Sequence, residues 1–165
     1  MNTLISDIKN VIGGNCCLVG MGNYLKSDDA VGLYIIESVK KAAGNTGMLL
    51  NVEDVIEAYV FKIAEMDCDT VVVIDAVKAQ AEVGSILFGT LDEEFEELSG
   101  TLSTHKLALK MSGKIFTEHK KETYLLGVVV NNIDFGAELT PAVKETADTL
   151  IEIIIDALNR DKRSL

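Results

Sequence analysis

The sequence has no tryptophan, one proline, two histidines and three cysteines among 165 residues, and each shortage excludes something. With so little proline and no low-complexity stretch, no linker, repeat or second domain is visible, and one domain over residues 1–165 is expected, with residues 1–14 as an N-terminal helical extension. Cys16, Cys17 and Cys68 are odd in number and show no Cys-x-x-Cys spacing, so they read as buried, reduced thiols rather than a zinc or redox motif. Basic residues are also scarce. The 15 lysines and arginines stand against 26 acidic residues, a net charge of −11, which lacks the footprint of a nucleic-acid or anionic-membrane binder. Long apolar runs are missing too: residues 71–74 and 153–155 are far too short to span a bilayer. The first 14 residues carry Asp7 before any apolar stretch, with no basic start and no small-residue cleavage site, so they do not read as a signal peptide. A cytoplasmic protein without nucleic-acid or membrane partners is the expectation. What is present is 48% apolar residues, enough at this length to bury roughly two-thirds of the unfolded surface without a disulfide or structural metal.

The apolar pattern alternates strands with helices. Leu4, Ile5, Ile8, Val11 and Ile12 fall at helical spacing and stop at Gly13-Gly14. Residues 16–19 form a short apolar run ending in Gly-Met-Gly-Asn, a strand entering a turn, and Val31, Tyr34, Ile35, Ser38 and Val39 mark one side of the next helix. Further strands are predicted at 48–52, 70–74, 84–89 and 124–130, with a short helix at 59–66. The strand at 84–89 follows its predecessor too closely for a helical crossover and should run antiparallel at or near an edge. The acidic stretch 92–97 reads as a solvated face. Ser103 is placed to cap a helix through Leu107, Ala108 and Met111, and Pro141 to open a last helix carrying Val143, Ala147, Leu150, Ile151, Ile154 and Leu158. The expected fold is therefore α/β: a three-layer α/β/α sandwich around a five-stranded, mostly parallel twisted sheet with one antiparallel strand and helices on both faces.

Three polar groups interrupt this pattern. In Gly20-Met21-Gly22-Asn23-Tyr24-Leu25-Lys26-Ser27-Asp28-Asp29-Ala30-Val31-Gly32, two adjacent carboxylates stand at a helix start, where the helix dipole and free N–H groups favour negative charge. One aspartate meets the capping need. The other, Asp28 or Asp29, is left beside the carboxyl end of the first strand, the edge at which open α/β sheets bind ligands. Asp75 follows Val71-Val72-Val73-Ile74 at the predicted end of the third strand, where a carboxylate needs a metal, a donor or water to offset its desolvation. His105 lies just inside the helix that Ser103 is placed to cap, where the dipole disfavours imidazolium and leaves the neutral, metal-ligating form. His119, among Glu118, Lys120 and Lys121, reads as solvated. Two carboxylates and one imidazole make a nitrogen and oxygen donor set for a divalent ion with open positions. Such an ion polarises a carbonyl and acidifies water, which suits amide hydrolysis. There is no Gly-x-Ser-x-Gly elbow, and no cysteine sits in an activated context.

In this order the motifs resemble those of the hydrogenase maturation endopeptidases, which trim the large subunit of nickel–iron hydrogenases. The resemblance runs from about residue 16 to 158. Residues 20–29 look like that family's Gly-x-Gly-Asn-x-Leu-x-x-Asp-[Asp/Glu] opening, Ile74-Asp75-Ala76 like its strand-ending Asp-Ala, Ser103-Thr104-His105 like its Ser/Thr-x-His element, and Leu139-Thr140-Pro141-x-Val143 like its closing motif. The resemblance implies that Asp29, Asp75 and His105 are the metal-binding and catalytic residues. It implies that the metal is nickel supplied by the substrate, for which zinc or cadmium can substitute in crystals. The implied partner is the nickel-loaded large-subunit precursor, from which a C-terminal extension is removed. One stretch departs from the pattern: where relatives carry an Asp-Gly-Gly-Thr-like turn, this chain reads Asn51-Val52-Glu53-Asp54-Val55-Ile56-Glu57-Ala58-Tyr59, with no glycine.

Two alternatives use the same fold. The glycine turn and Glu53 near the end of the second strand suggest a Rossmann-like dinucleotide-binding protein, but Leu25 occupies the third glycine position and Asp28-Asp29 would repel a pyrophosphate. A non-catalytic metal-sensing assembly factor is the other, since fold does not set function.

Overall fold

A computed structural model describes residues 2–44, 48–92, 102–103 and 106–163. In chain order the elements are α1 (Asn2–Ile12), β1 (Cys16–Met21), α2 (Val31–Ala43), β2 (Leu49–Glu53), α3 (Val60–Ala64), β3 (Thr70–Lys78), β4 (Ile86–Thr90), β5 (Leu102–Ser103), α4 (Lys106–Glu118), β6 (Glu122–Val129) and α5 (Pro141–Arg163). Short 3-10 turns at Ser27–Ala30 and Ile56–Ala58 follow β1 and β2.

The main sheet has the order β2-β1-β3-β6-β4. The first four strands run parallel, and β4 pairs antiparallel with β6 at the edge, as its short connection to β3 requires. This is the expected five-stranded α/β sheet, with one addition: β5 pairs antiparallel with β3 at Val77 and Lys78.

Alternation along the strands divides the core. Leu18, Val72, Ile74, Leu126 and Val128 face α1, α2 and α5, while Cys17, Val19, Val71, Val73, Val77, Leu125 and Val129 face α3 and α4. Central strands buried on both faces account for the unbroken valine and isoleucine of β3. In α5, Val143, Ala147, Leu150 and Ile154 are the buried stripe, and Pro141 opens the helix. Among the described residues the three cysteines are free and buried, and no helix is long and apolar enough to cross a membrane.

Two boundaries differ from the sequence reading. β3 does not stop at Ile74 but runs on to Lys78, because β6 continues to pair with it through Val77↔Val129. Ser103 takes a strand partner, Val77, and α4 is described from Lys106. Of the acidic stretch 92–97, only Asp92 lies within the described residues, where its carboxylate accepts a hydrogen bond from Thr90 Oγ1.

Candidate functional site

From β1 the chain passes through α2 to β2 on one side, and from β2 through α3 to β3 on the other. The carboxyl ends of β1 and β3 therefore flank a topological switch point, where open α/β sheets form a crevice. The glycines of the first motif bring α2 down onto this point. A Cβ at Gly32 would run into the carbonyl oxygen of Ile74 and lie 2.6 Å from that of Met21, and a Cβ at Gly22 would strike the carbonyl of Asp29. Gly22 also has φ +144°, outside the range of ordinary side-chain-bearing residues. The helix start is thus wedged between the end of β1 and the middle of β3. Asp29 lies one turn before Gly32, and Asp75 follows Ile74, so the two aspartates flank a single backbone contact.

The two adjacent carboxylates have separate environments. Asp28 is fully buried and receives two hydrogen bonds from the far end of the chain, 2.7 Å from the backbone N–H of Thr140 and 2.7 Å from its Oγ1. Neither the 3-10 turn nor α2 has a side-chain N-cap, so the capping role expected of one aspartate is not filled. The physical reason is the stronger claim of Thr140, which offers two donors to one buried carboxylate. Ser27 reinforces the junction: its N–H donates to Gly136 O and its Oγ to Glu138 O, both at 2.8 Å. Ser27 has φ 47°, a strained value for a serine that these two bonds hold in place. Asp29, also buried, is carried on the turn so fixed, and that turn packs against β3.

Asp75 is fully buried within β3 rather than at its end. It does mark a step in the sheet. Pairing with β1 ends at Gly20↔Ile74, and pairing with β5 begins at Val77. Asp75 and Ala76 therefore occupy a gap on that edge of β3, while β6 still covers the other edge at Gly127 and Val128. Strand parity puts Asp75 with Val73 and Val77 on the α3 and α4 side. Its Oδ1 accepts the N–H of Ala76 at 2.9 Å. His105 lies outside the described residues; the chain on either side of it is Ser103, paired with β3 two residues beyond Asp75, and the start of α4. His119 is exposed, its Nδ1 2.9 Å from Ile115 O.

Beside the junction a groove of about 390 Å³ is lined by Tyr24, Ala30, Tyr34, Glu37, Leu139 and Lys144, among others. Tyr24 OH donates to Glu37 at 3.0 Å, and burial, followed by that carboxylate, pushes its phenol up. Tyr34 OH donates to Asp148 at 2.7 Å, and the acceptance of its proton by that carboxylate is the main cause of its raised pKa. The atypical 51–59 stretch reaches Tyr24, whose OH accepts a hydrogen bond from Asn51 Nδ2 at 3.3 Å. Asn51 lies over Gly20 and donates to Leu33 O at 3.2 Å, and Glu53 takes φ 52°, a left-handed conformation at the end of β2.

Among the described residues no three histidine, cysteine, aspartate or glutamate side chains form a metal cluster. Asp29 and Asp75 are nonetheless buried oxygen donors on either side of the Gly32 contact, of a kind that fits a divalent ion. The sequence pattern does not identify Thr140 as the partner of Asp28 or Gly32 as the contact between β1 and β3. The closing Leu-Thr-Pro motif was the only signal for the first, and Gly inside a helical pattern for the second.

Residues 27–157 match the family model described as hydrogenase maturation protease. The chain is 26% identical over 157 residues to the hydrogenase 2 maturation protease of Escherichia coli strain K12, covering 86% of this chain and 88% of that protein. It is similar in structure to a NiFe hydrogenase maturation protease, HycI, from Thermococcus kodakarensis KOD1, with a TM-score of 0.77 and 28% identity over 93% of this chain and 99% of that one. The hydrogenase maturating endopeptidase HybD from Escherichia coli shares the fold, with a TM-score of 0.69 at 20% identity over 88% of this chain and 93% of that one.

Proposed function

The chain belongs to the hydrogenase maturation protease family, and on that premise we propose that it removes the C-terminal extension from the nickel-loaded precursor of a nickel–iron hydrogenase large subunit. The observation that carries this reading is the meeting of α2 with the end of β1 and with β3 at Ile74, with Asp29 and Asp75 on either side of the Gly32 contact. In this reading Asp29, Asp75 and His105 engage nickel that arrives as part of the substrate, and zinc or cadmium can stand in for it in crystals. Cutting is thereby tied to completed metal insertion. Asp28 and Thr140 do not meet substrate; they hold the turn that carries Asp29. The buried oxygen donors suit recognition of a borderline divalent ion, and their burial keeps bulk water from competing. The free thiols accord with action in the cytoplasm.

The dinucleotide alternative is disfavoured by the same geometry. The open side of Gly22 is filled by the backbone of Asp29, and two buried carboxylates stand where a pyrophosphate needs donors. The test is incubation with a matched pair of precursors, one nickel-loaded and one nickel-free, with released peptide detected by mass. A short C-terminal peptide is expected from the loaded precursor alone, and none from either with Asp75→Ala. Nickel-dependent binding without cleavage would favour the assembly factor, and cleavage persisting in Asp75→Ala would remove that residue from the reaction.

A further inference from the structure

A second constellation lies at the opposite, amino end of the sheet. Cys17, the second residue of β1, is fully buried on the α3 and α4 side, and the register Cys17↔Val71 places Cys68, three residues before Val71, alongside it. The Cys17 thiol donates to Met66 Sδ at 3.8 Å and has the Cys68 thiol as a further hydrogen-bonding neighbour. The turn supplying Met66 and Cys68 is held from outside: the buried Lys121 donates from Nζ to Met66 O and Cys68 O, both at 2.6 Å. Cys68 N–H closes the turn on Met66 O at 2.9 Å.

We propose that Cys17, Met66 and Cys68 form a three-sulfur site for a soft monovalent cation, with copper(I) as the ion of matching chemistry. Two thiolates and a thioether are the donor set that selects copper(I) over harder ions. Around a trigonal ion with metal–sulfur bonds of about 2.3 Å, neighbouring sulfurs stand roughly 4 Å apart, close to the Cys17–Met66 spacing already present. As the two thiolate bonds form, Cys17 and Cys68 each release a proton, Met66 contributes a lone pair, and no electron changes owner. The resulting single negative charge lies beside Lys121, whose positive charge already favours the Cys17 thiolate. Without metal, burial pushes the Cys17 thiol up to about 12. Met66 is half-buried and gives the ion a way in. Cys16 packs on the other face of the sheet, its thiol directed to Cys17 O, and serves as the internal control.

The experiment is anaerobic titration of the reduced, full-length protein against copper(I) held by the chromophoric chelator bicinchoninate. One equivalent should be withdrawn, with X-ray absorption showing three sulfur neighbours. Cys17→Ala and Cys68→Ala should each weaken binding by about 100-fold or more, Met66→Leu by about 10-fold, and Cys16→Ala not at all. Melting curves of the metal-free variants check the fold; if Cys17→Ala does not fold, Cys68→Ala, in the turn outside the strands, carries the test. Failure to withdraw copper, or equal withdrawal by Cys17→Ala, Cys68→Ala and the unaltered protein, overturns the site.

Discussion

The two helical layers treat the same sheet differently. On one side stand α1, α2 and α5, of 11, 13 and 23 residues, and the carboxyl-edge turn is tied to the start of α5 by Asp28, Ser27 and Thr140. On the other, among the described residues, stand α3, of 5 residues, and α4, of 13, with Val55, Phe61, Leu107 and Met111 exposed. The turn that carries Asp29 is fixed from the first layer by a polar junction between distant parts of the chain, while Asp75, also buried, lies on the second side.

Substitutions should separate the layers. The largest effect is expected at Gly32: in Gly32→Val the new side chain meets the Ile74 carbonyl, and thermal or urea unfolding should show a loss of about 3 kcal/mol or more together with loss of cleavage. Asp28→Ala comes next, because it leaves both Thr140 donors without their acceptor; a loss of roughly 2–3 kcal/mol is expected, again with reduced cleavage. Thr140→Val removes only the hydroxyl bond and should lower stability by roughly 1–2 kcal/mol, with Thr140→Ser restoring most of it. A neutral result for Asp28→Ala would show that the junction does not set the site. On the α3 and α4 layer, Leu107→Ser and Met111→Ser should change stability by less than about 0.5 kcal/mol, since both side chains are already exposed.

The smallest effect concerns pH at the groove. Lys144, at 2.6 Å, and Tyr34 hold the Asp148 carboxyl below its ordinary range. A depressed folded pKa contributes stability above the unfolded value, and that contribution is lost as pH falls through the folded one. Asp148→Asn should therefore lower stability slightly at neutral pH, leave it unchanged at pH below the folded value, and so flatten the acid limb of a stability–pH curve. The pair is exposed, and added salt should shrink the difference further.

The sheet was largely legible beforehand because its signals are local. Short apolar runs, valine-rich β3 and the short connection before β4 predict the strands and the antiparallel edge without knowledge of distant contacts. The α5 stripe and its proline are local in the same way. The end of β3 was misjudged for the opposite reason. A charged residue after four apolar ones looks like a strand terminus, yet β6 pairs on past Asp75 and keeps it in the sheet. The Asn51–Tyr59 departure was visible as a lack of glycine, but only the backbone shows that Glu53 itself takes the left-handed turn.

By itself the sequence determined the α/β alternation, the placement of acidic residues at sheet-edge turns, and the scarcity of cysteine, proline and basic charge that narrowed the possible functions. Tertiary structure alone decided which of two adjacent aspartates is bound by Thr140. Asp28 and Asp29 have the same side chain and the same position in a helix-start pattern, so no local rule separates them. Their difference comes from Thr140, 112 positions away, which reaches one carboxylate because α2 and α5 pack together on the same face of the sheet.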